Sequence, residues 1–447
     1  MSVTQTGNAW RLFIAGLGLW LSSAGPATGQ EADLPSVTGS NTSGQASADT
    51  TASAHAQQPL SLAKLEELAL AHNPALHKAA ALVAVAQGTQ LQAGLYPNPT
   101  IGYDGSEIGD QGRAGQQGGF ISQEFVTGGK LRLSRAVATQ DVQQAQWLLE
   151  AQRYRVLNAV RSRYYEVLVA DRTVQVVSQH LHDVTEKFLK GTEARQKEGE
   201  GLPRDVFQAK VEVDLTRISL DNAKIRKDAA WKRLTAVLGT PALQPTPLED
   251  ALDGPIPDLN PEQTWLRLLT ASPELQVAHA NVRRAQCALE RSRAEPIPNV
   301  NVQLAAQYDY ASRDAIAGVQ VGIPIPVFNR NQGNIRAAQA ELVRASAETQ
   351  RVELALRDRL AAALERYQSA RQRVEKYRDI VSNAEATLSQ TEILTLKTGT
   401  FSYIENVVVQ RTLLDARIGA VEALADLWRS VVEITGLLLT NGLGEAG

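Results

Sequence analysis

Two stretches of this chain repeat each other at a constant offset of 199 positions, Pro74 to Pro273 and Pro97 to Pro296. Asn73-Pro74-Ala75-Leu76 returns as Ser272-Pro273-Glu274-Leu275, and Tyr96-Pro97-Asn98-Pro99 as Glu295-Pro296-Ile297-Pro298. Farther on, Trp231-Lys232 and Trp428-Arg429 are each followed by a glycine, Gly239 and Gly436, eight positions after the Trp. Solenoid modules repeat every ~20–50 residues, so a period this long means a duplicated half-domain. The fold must be pseudo-twofold, and the function must suit such an object.

Residues 1–29 read as an export signal. Arg11 is the early charge, Leu12 to Leu21 form a short apolar run, and small residues follow from Ser22 to Gly29. A buried N-terminal helix would show the same run. Export is favoured because residues 30–58, rich in Ser, Thr, Ala and Gly, separate it from any fold and have a disordered composition. No Cys follows the run, so a lipid-anchored N-terminus is not expected. The single Cys287 allows no internal disulfide and is expected to pack. Beyond the signal no apolar stretch reaches the ~18 residues of a membrane-spanning helix. A net charge of −3 gives no basic footprint for nucleic acid. Few aromatics among abundant Ala, Gln, Arg, Glu and Leu point to long helices rather than a thick core.

Each half, 59–239 and 261–438, follows one plan: helix, two strands, long helix, turn, long helix. The strands are expected at 100–108 and 119–126, then at 299–310 and 315–325. In the second half Val300, Val302, Leu304, Ala306, Tyr308 and Tyr310 alternate with Asn301, Gln303, Ala305, Gln307 and Asp309. Past a turn, Ala317, Val319, Val321 and Ile323 alternate with Gly318, Gln320 and Gly322. Such a hairpin has one apolar and one polar face. In the first half a Gly-rich turn is expected through Gly119.

A half-buried soluble sheet and a membrane barrel strand share this alternation, and the export signal favours the second. Bacterial single-chain barrels begin at about 8 strands, and open edges in lipid leave unpaired amides that each cost several kcal/mol. Four strands that span a membrane therefore need sister chains to complete the ring. On that reading Val300, Val302, Leu304, Tyr308, Val319, Val321 and Ile323 face lipid.

The long helices are expected at 130–197, 203–239, 332–397 and 402–438. Seams such as Val352, Leu356, Leu360, Ala363, Tyr367 and Ala370 step by three or four, as coiled-coil packing requires. No Pro occurs from Lys130 to Leu202, so a helix of roughly 65 residues could reach about 100 Å. A soluble coiled-coil rod would show the same seams, though both rods start directly after a hairpin. Each rod ends in a glycine-bearing turn, at Gly199 and Gly399, with Pro203 at the start of one following helix. An acid stands six residues beyond each glycine, Asp205 and Glu405. A first-turn carboxylate favoured by the helix dipole explains these as readily as a functional role does. The Pro-rich segment 240–260 joins the halves and cannot be regular helix; residues 439–447 form a tail.

Together these features resemble the TolC family of outer-membrane efflux proteins over roughly Leu60 to Leu438. The segment Gly322-Ile323-Pro324-Ile325-Pro326-Val327-Phe328-Asn329-Arg330-Asn331-Gln332-Gly333 resembles the strand-to-helix junction of the CzcC-like heavy-metal branch that serves RND exchangers. Gln123 to Val126 with Gly128-Gly129-Lys130 resembles the same junction in the first half. The resemblance implies a mostly α fold with four β-strands per chain. It further implies a homotrimer with a shared 12-stranded transmembrane β-barrel and a 12-helix periplasmic tunnel. It implies a periplasmic adaptor (membrane fusion protein) and an inner-membrane RND transporter as partners, with outer-membrane lipid around the barrel. Carried over by position, Gly199, Leu202, Gly399, Thr400 and Phe401 are adaptor-docking tips, and Asp205 and Glu405 line the periplasmic gate. Phe401 stands where some members have Arg, and Val408 where a second acidic ring would be, so closure by apolar contact is implied.

Catalytic chemistry is not expected. His180 and His182 are two apart on a helix and point to different sides, and His72 and His77 straddle a Pro break, so no tight metal site is expected. Gly128-Gly129-Lys130 lacks P-loop spacing; no cofactor and no enzyme activity follow. The expected function is a passive outer-membrane duct, with heavy-metal cations as favoured cargo. A duct for drugs or type I protein secretion is the close rival, and a periplasmic coiled-coil scaffold the rival from another class.

Overall fold

The computed structural model describes residues 59–112, 114–199, 201–249, 252–398 and 403–439. The expected signal 1–29, the linker 30–58, the tip residues Gly399, Thr400 and Phe401, and the tail from 440 onward lie outside these residues. The first repeat comprises α1 (Leu62–His72), α2 (Pro74–Ala93), β1 (Thr100–Ser106), β2 (Gln116–Phe125) and α3 (Lys130–Asp183), then a π-helical segment (Val184–Leu189), α4 (Lys190–Lys197) and α5 (Pro203–Leu238). The second comprises α6 (Pro261–Ala271), α7 (Pro273–Ala294), β3 (Val300–Asp309), β4 (Asp314–Gly322), α8 (Gln332–Thr398) and α9 (Tyr403–Thr435).

Two helices, not one, open each repeat. Pro74 and Pro273 start the second of each pair at its first turn, where a missing N–H costs nothing. Buried Asn73 fixes the first break. Its Oδ1 accepts from the Ala75 N–H at 2.9 Å and its Nδ2 donates to the Val237 carbonyl at 2.8 Å. Gly239 closes α5 at φ 74°, and a Cβ there would overlap the His72 carbonyl, so the end of α5 seats directly on that break. α9 ends at Thr435, three residues before the expected 438, because Gly436 lies against Asn158. The Asn158 amide donates to the Gly436 carbonyl at 2.8 Å.

The four strands form one antiparallel sheet in the order β1-β2-β3-β4. Each repeat supplies a hairpin, and the two meet along β2 and β3, from Gln116↔Asp309 to Phe125↔Val300. β2 starts three residues before the expected 119. Gly118 and Gly119 are strand residues rather than turn residues, and a Cβ on Gly118 would run into the backbone of Ala306 and Gln307. Glycine here serves close approach of two backbones. β1 stops at Ser106 because Glu107 takes φ 54° and begins the turn. β4 stops at Gly322, three residues before the expected 325, because Pro324 cannot donate to a ladder. Gly118→Val should destabilise the sheet by about 1–3 kcal/mol, read as a lower urea midpoint. Gly322→Val, where a Cβ meets open space, is the control and should barely move it.

The core gathers where the Pro-rich segment crosses the long helices. Val156, Val160 and Tyr164 of α3, Leu234 and Leu238 of α5, Leu356 and Tyr367 of α8, and Leu427 of α9 are buried there with Leu252 and Leu268. The duplication shows in how the segment is held. Tyr164 donates its hydroxyl to the Glu249 carbonyl and Trp231 its Nε1–H to that of Leu243 (3.1 Å). In the second repeat Tyr367 donates to the Pro257 carbonyl (2.6 Å) and Trp428 to that of Leu252 (2.9 Å). A segment without regular secondary structure thus has four of its backbone carbonyls held by one Tyr and one Trp from each half.

Candidate functional site

Strand register sorts the side chains of the sheet into two faces, because directly paired residues project to the same side. One row runs Ile101, Ile121, Leu304, Val319 across all four strands; a second runs Tyr103, Gly119, Ala306, Ala317. Phe125 pairs with Val300, and Val302 with Val321, on the same face. The opposite face carries Thr100, Ser122, Gln303 and Gln320 in one row, and Ser106, Gln116, Asp309 and Asp314 in another. Phe120 and Ile316 are the apolar exceptions there. Phe120 lies over Gly102, whose missing Cβ leaves room for the ring. Gln117 and Gln123 are the polar exceptions on the apolar face, and their amides donate to the Ala114 carbonyl at 2.8 Å and the Pro97 carbonyl at 2.9 Å.

The apolar face is open. Ile101 is 78 % exposed, Ile121 44 %, Leu304 50 % and Val319 72 %. Tyr308, Val321 and Ile323 are exposed as well, while Val300 and Val302 are half-buried. Ile323 lies just past the end of β4 rather than within the strand. Among the described residues no strand pairs with the outer edge of β1 or of β4. An uncovered apolar face bounded by two unpaired edges is unstable in water, where it templates association. Among the described helices none is long and apolar enough to cross a membrane.

At the other end of the long helices, Gly199 takes φ 82° with open space where its Cβ would be. Its N–H donates to the Gln196 carbonyl (3.2 Å), and that of Gly201 to Arg195 (3.0 Å), closing α4 in a glycine-dependent turn. Leu202 is exposed and Pro203 begins α5. Asp205 lies in the first turn of α5, its Oδ1 3.5 Å from the Arg204 guanidinium. Glu405 occupies the matching first turn of α9, and its side chain lies outside the described residues. Val408 beyond it is exposed.

Two features escaped sequence reasoning. The helix expected unbroken over 130–197 contains the π-helical turn Val184–Leu189. Neither Pro nor Gly marks it. No local pattern in the sequence announces it. The second is a second apolar stripe on α5. Val206, Ala209, Val213, Leu220 and Ala223 are buried, while Phe207, Val211, Leu215, Ile218 and Ile225 stand exposed on another face. The exposed set steps by four, four, three and seven, a coiled-coil seam lacking its partner.

Of the histidines, His180 is buried and His182 exposed. Among the described residues no group of three or more His, Cys, Asp or Glu is arranged to hold a metal ion.

Residues 65–240 and 266–438 match the family model described as outer membrane efflux protein. The cobalt-zinc-cadmium resistance protein CzcC of Cupriavidus metallidurans is 25 % identical over 382 residues, covering 85 % of this chain and 90 % of that protein. The outer membrane efflux protein BepC of Brucella suis is 23 % identical over 316 residues, 66 % of this chain and 67 % of that one. Among solved structures, CusC, described for its transmembrane channel formation, superposes with a TM-score of 0.72 at 17 % identity, covering 85 % of this chain and 92 % of that chain. The outer-membrane channel OprN gives 0.71 at 19 % identity, covering 85 % and 90 %.

Proposed function

The chain belongs to the outer membrane efflux protein family, and on that premise we propose that three copies form a passive duct across the outer membrane. The observation that carries the proposal is the four-stranded sheet with one exposed apolar face and two open edges. Three such sheets, joined β4 to β1 of the next copy, close into a 12-stranded ring, above the ~8-strand minimum. The apolar rows then meet lipid, the Gln- and Ser-lined face meets the lumen, and no backbone amide is left bare. The helices α3, α5, α8 and α9 of three copies continue the ring as a tunnel in the periplasm, and the bare stripe of α5 supplies a contact between copies. The turn at Gly199 and its counterpart at Gly399 dock a periplasmic adaptor, and an inner-membrane RND antiporter supplies the energy.

Heavy-metal cations are the proposed cargo. The likeness to a cobalt-zinc-cadmium resistance protein over most of both chains supports this reading. A duct has no use for a tight metal site, since strong binding slows exit.

Single-channel recording in planar bilayers tests the duct. The purified chain should migrate as a heat-modifiable trimer and give discrete conductance steps. Glu405→Ala should change the conductance or its block by divalent cations by roughly twofold or more if the carboxylate narrows the mouth, as a ring of acids would. An unchanged record removes Glu405 from the gate. A soluble monomer on cell fractionation overturns the duct itself.

A further inference from the structure

α3 runs regularly to Asp183 and then widens into the π-turn, where the Lys190 N–H reaches back five residues to the Thr185 carbonyl. π-turns are rare and concentrate where a helix must do something other than hold still. His180 sits one turn before it, 7 % exposed, and its Nε2 has no hydrogen-bond partner. Gln410 of α9 is 5 % exposed, and its Oε1 is equally unpartnered. α9 packs on α3, and Asp415 and Arg417 of α9 act electrostatically on His180. His180 therefore carries an uncompensated polar atom one turn before the π-helical segment, on a helix against which α9 packs. Leaving the His180 Nε2 unpaired destabilises the closed seam, so the arrangement holds the seam ready to part.

We propose that His180 and the π-turn form a proton-operated release of the α3–α9 seam, in which uptake of a proton at Nε2 separates the helices and Val184–Leu189 absorbs the bend. The proposal rests on the duct reading, because it assigns the release to the tunnel's periplasmic end. The charges around the ring are Asp183 on α3, and Asp415 and Arg417 on α9. Arg417 is itself held by Glu385 of α8 at 2.7 Å. α5, which also packs along α3, carries Asp214 and Arg217, paired with each other at 3.2 Å.

Burial pushes the imidazole below its ordinary value of 6.5; Asp183 and Asp415 oppose the shift and Arg417 adds to it. Above 6.5 the ring is neutral whether the seam is closed or parted, and nothing is lost. Below it, a parted seam that admits water takes up a proton which the closed seam resists. Acid therefore favours the parted state progressively, until the pH passes the depressed value of the buried ring. The imidazolium then has Asp183 and Asp415 as partners.

The test is open probability in planar bilayers at about pH 7.5 and about pH 5.5 for the wild-type chain and for His180→Gln, which stays neutral throughout. Wild type should open roughly threefold or more as pH falls, given tenfold per unit of pKa difference, and His180→Gln should be flat. Hydrogen exchange of Val184–Leu189 in the wild-type trimer, corrected for intrinsic rates, should accelerate over the same interval. A variant that tracks wild type, or a π-turn whose protection ignores pH, overturns the release while leaving the duct intact. A trimer that conducts at neither pH removes the duct, and the release with it.

Discussion

Val319→Arg should abolish assembly into the outer membrane, and Gln320→Arg, one residue along the same strand, should not. Val319 ends the row Ile101, Ile121, Leu304, Val319, and the neighbouring Gln320 belongs to the opposite face with Gln303. A charge facing lipid near the bilayer midplane costs about 2–4 kcal/mol per chain. In a homotrimer the substitution occurs three times, a total of about 6–12 kcal/mol, which rivals the ~5–15 kcal/mol that holds a typical fold together. The readout is loss of the heat-modifiable trimer from the membrane fraction. If both variants insert equally well, the apolar face does not meet lipid and the ring closes some other way.

Leu215→Asp combined with Ile218→Asp should leave a folded monomer that no longer trimerises. Both side chains are exposed on the outer stripe of α5, away from the buried stripe through Val213 and Leu220. Burying each against a sister helix is worth about 1.5–3 kcal/mol, and a trimer has three such contacts. Sedimentation in detergent should show a monomer, with far-UV circular dichroism unchanged. A trimer of undiminished heat resistance would place the contact between copies on another face. The two experiments separate the halves of the proposed duct, since one tests the lipid contact and the other the contact between copies.

The sheet was legible because alternation is a local signal. Val300 to Asp309 lists its two faces in order, and the register then adds neighbours that alternation alone cannot supply, such as Ile101 and Ile121 beside Leu304. Gly118 misled, because glycine in a turn and glycine in a crowded strand look alike in sequence; only the backbone of Ala306 across the seam tells them apart. Asn73 opens a repeated motif in the sequence, yet its amide bonds Val237, 164 positions away, a distance over which pattern carries no information. The bare stripe of α5 is written in the sequence at coiled-coil spacing, but it adjoins a buried stripe of the same composition, and composition cannot say which of two stripes a chain covers by itself. Of the proposed gate, position alone is legible: Asp205 and Glu405 fall in matching first turns.

The clasp on the Pro-rich segment sets an order of events in biogenesis. Tyr164 and Trp231 are supplied by the first half of the chain, but Tyr367 and Trp428 arrive only with its last two long helices. A chain that stops before α8 and α9 lacks both second-half donors to this segment. The last helix is therefore what fastens the second end of this connection, and the two repeats are tied together only in a chain that reaches α9.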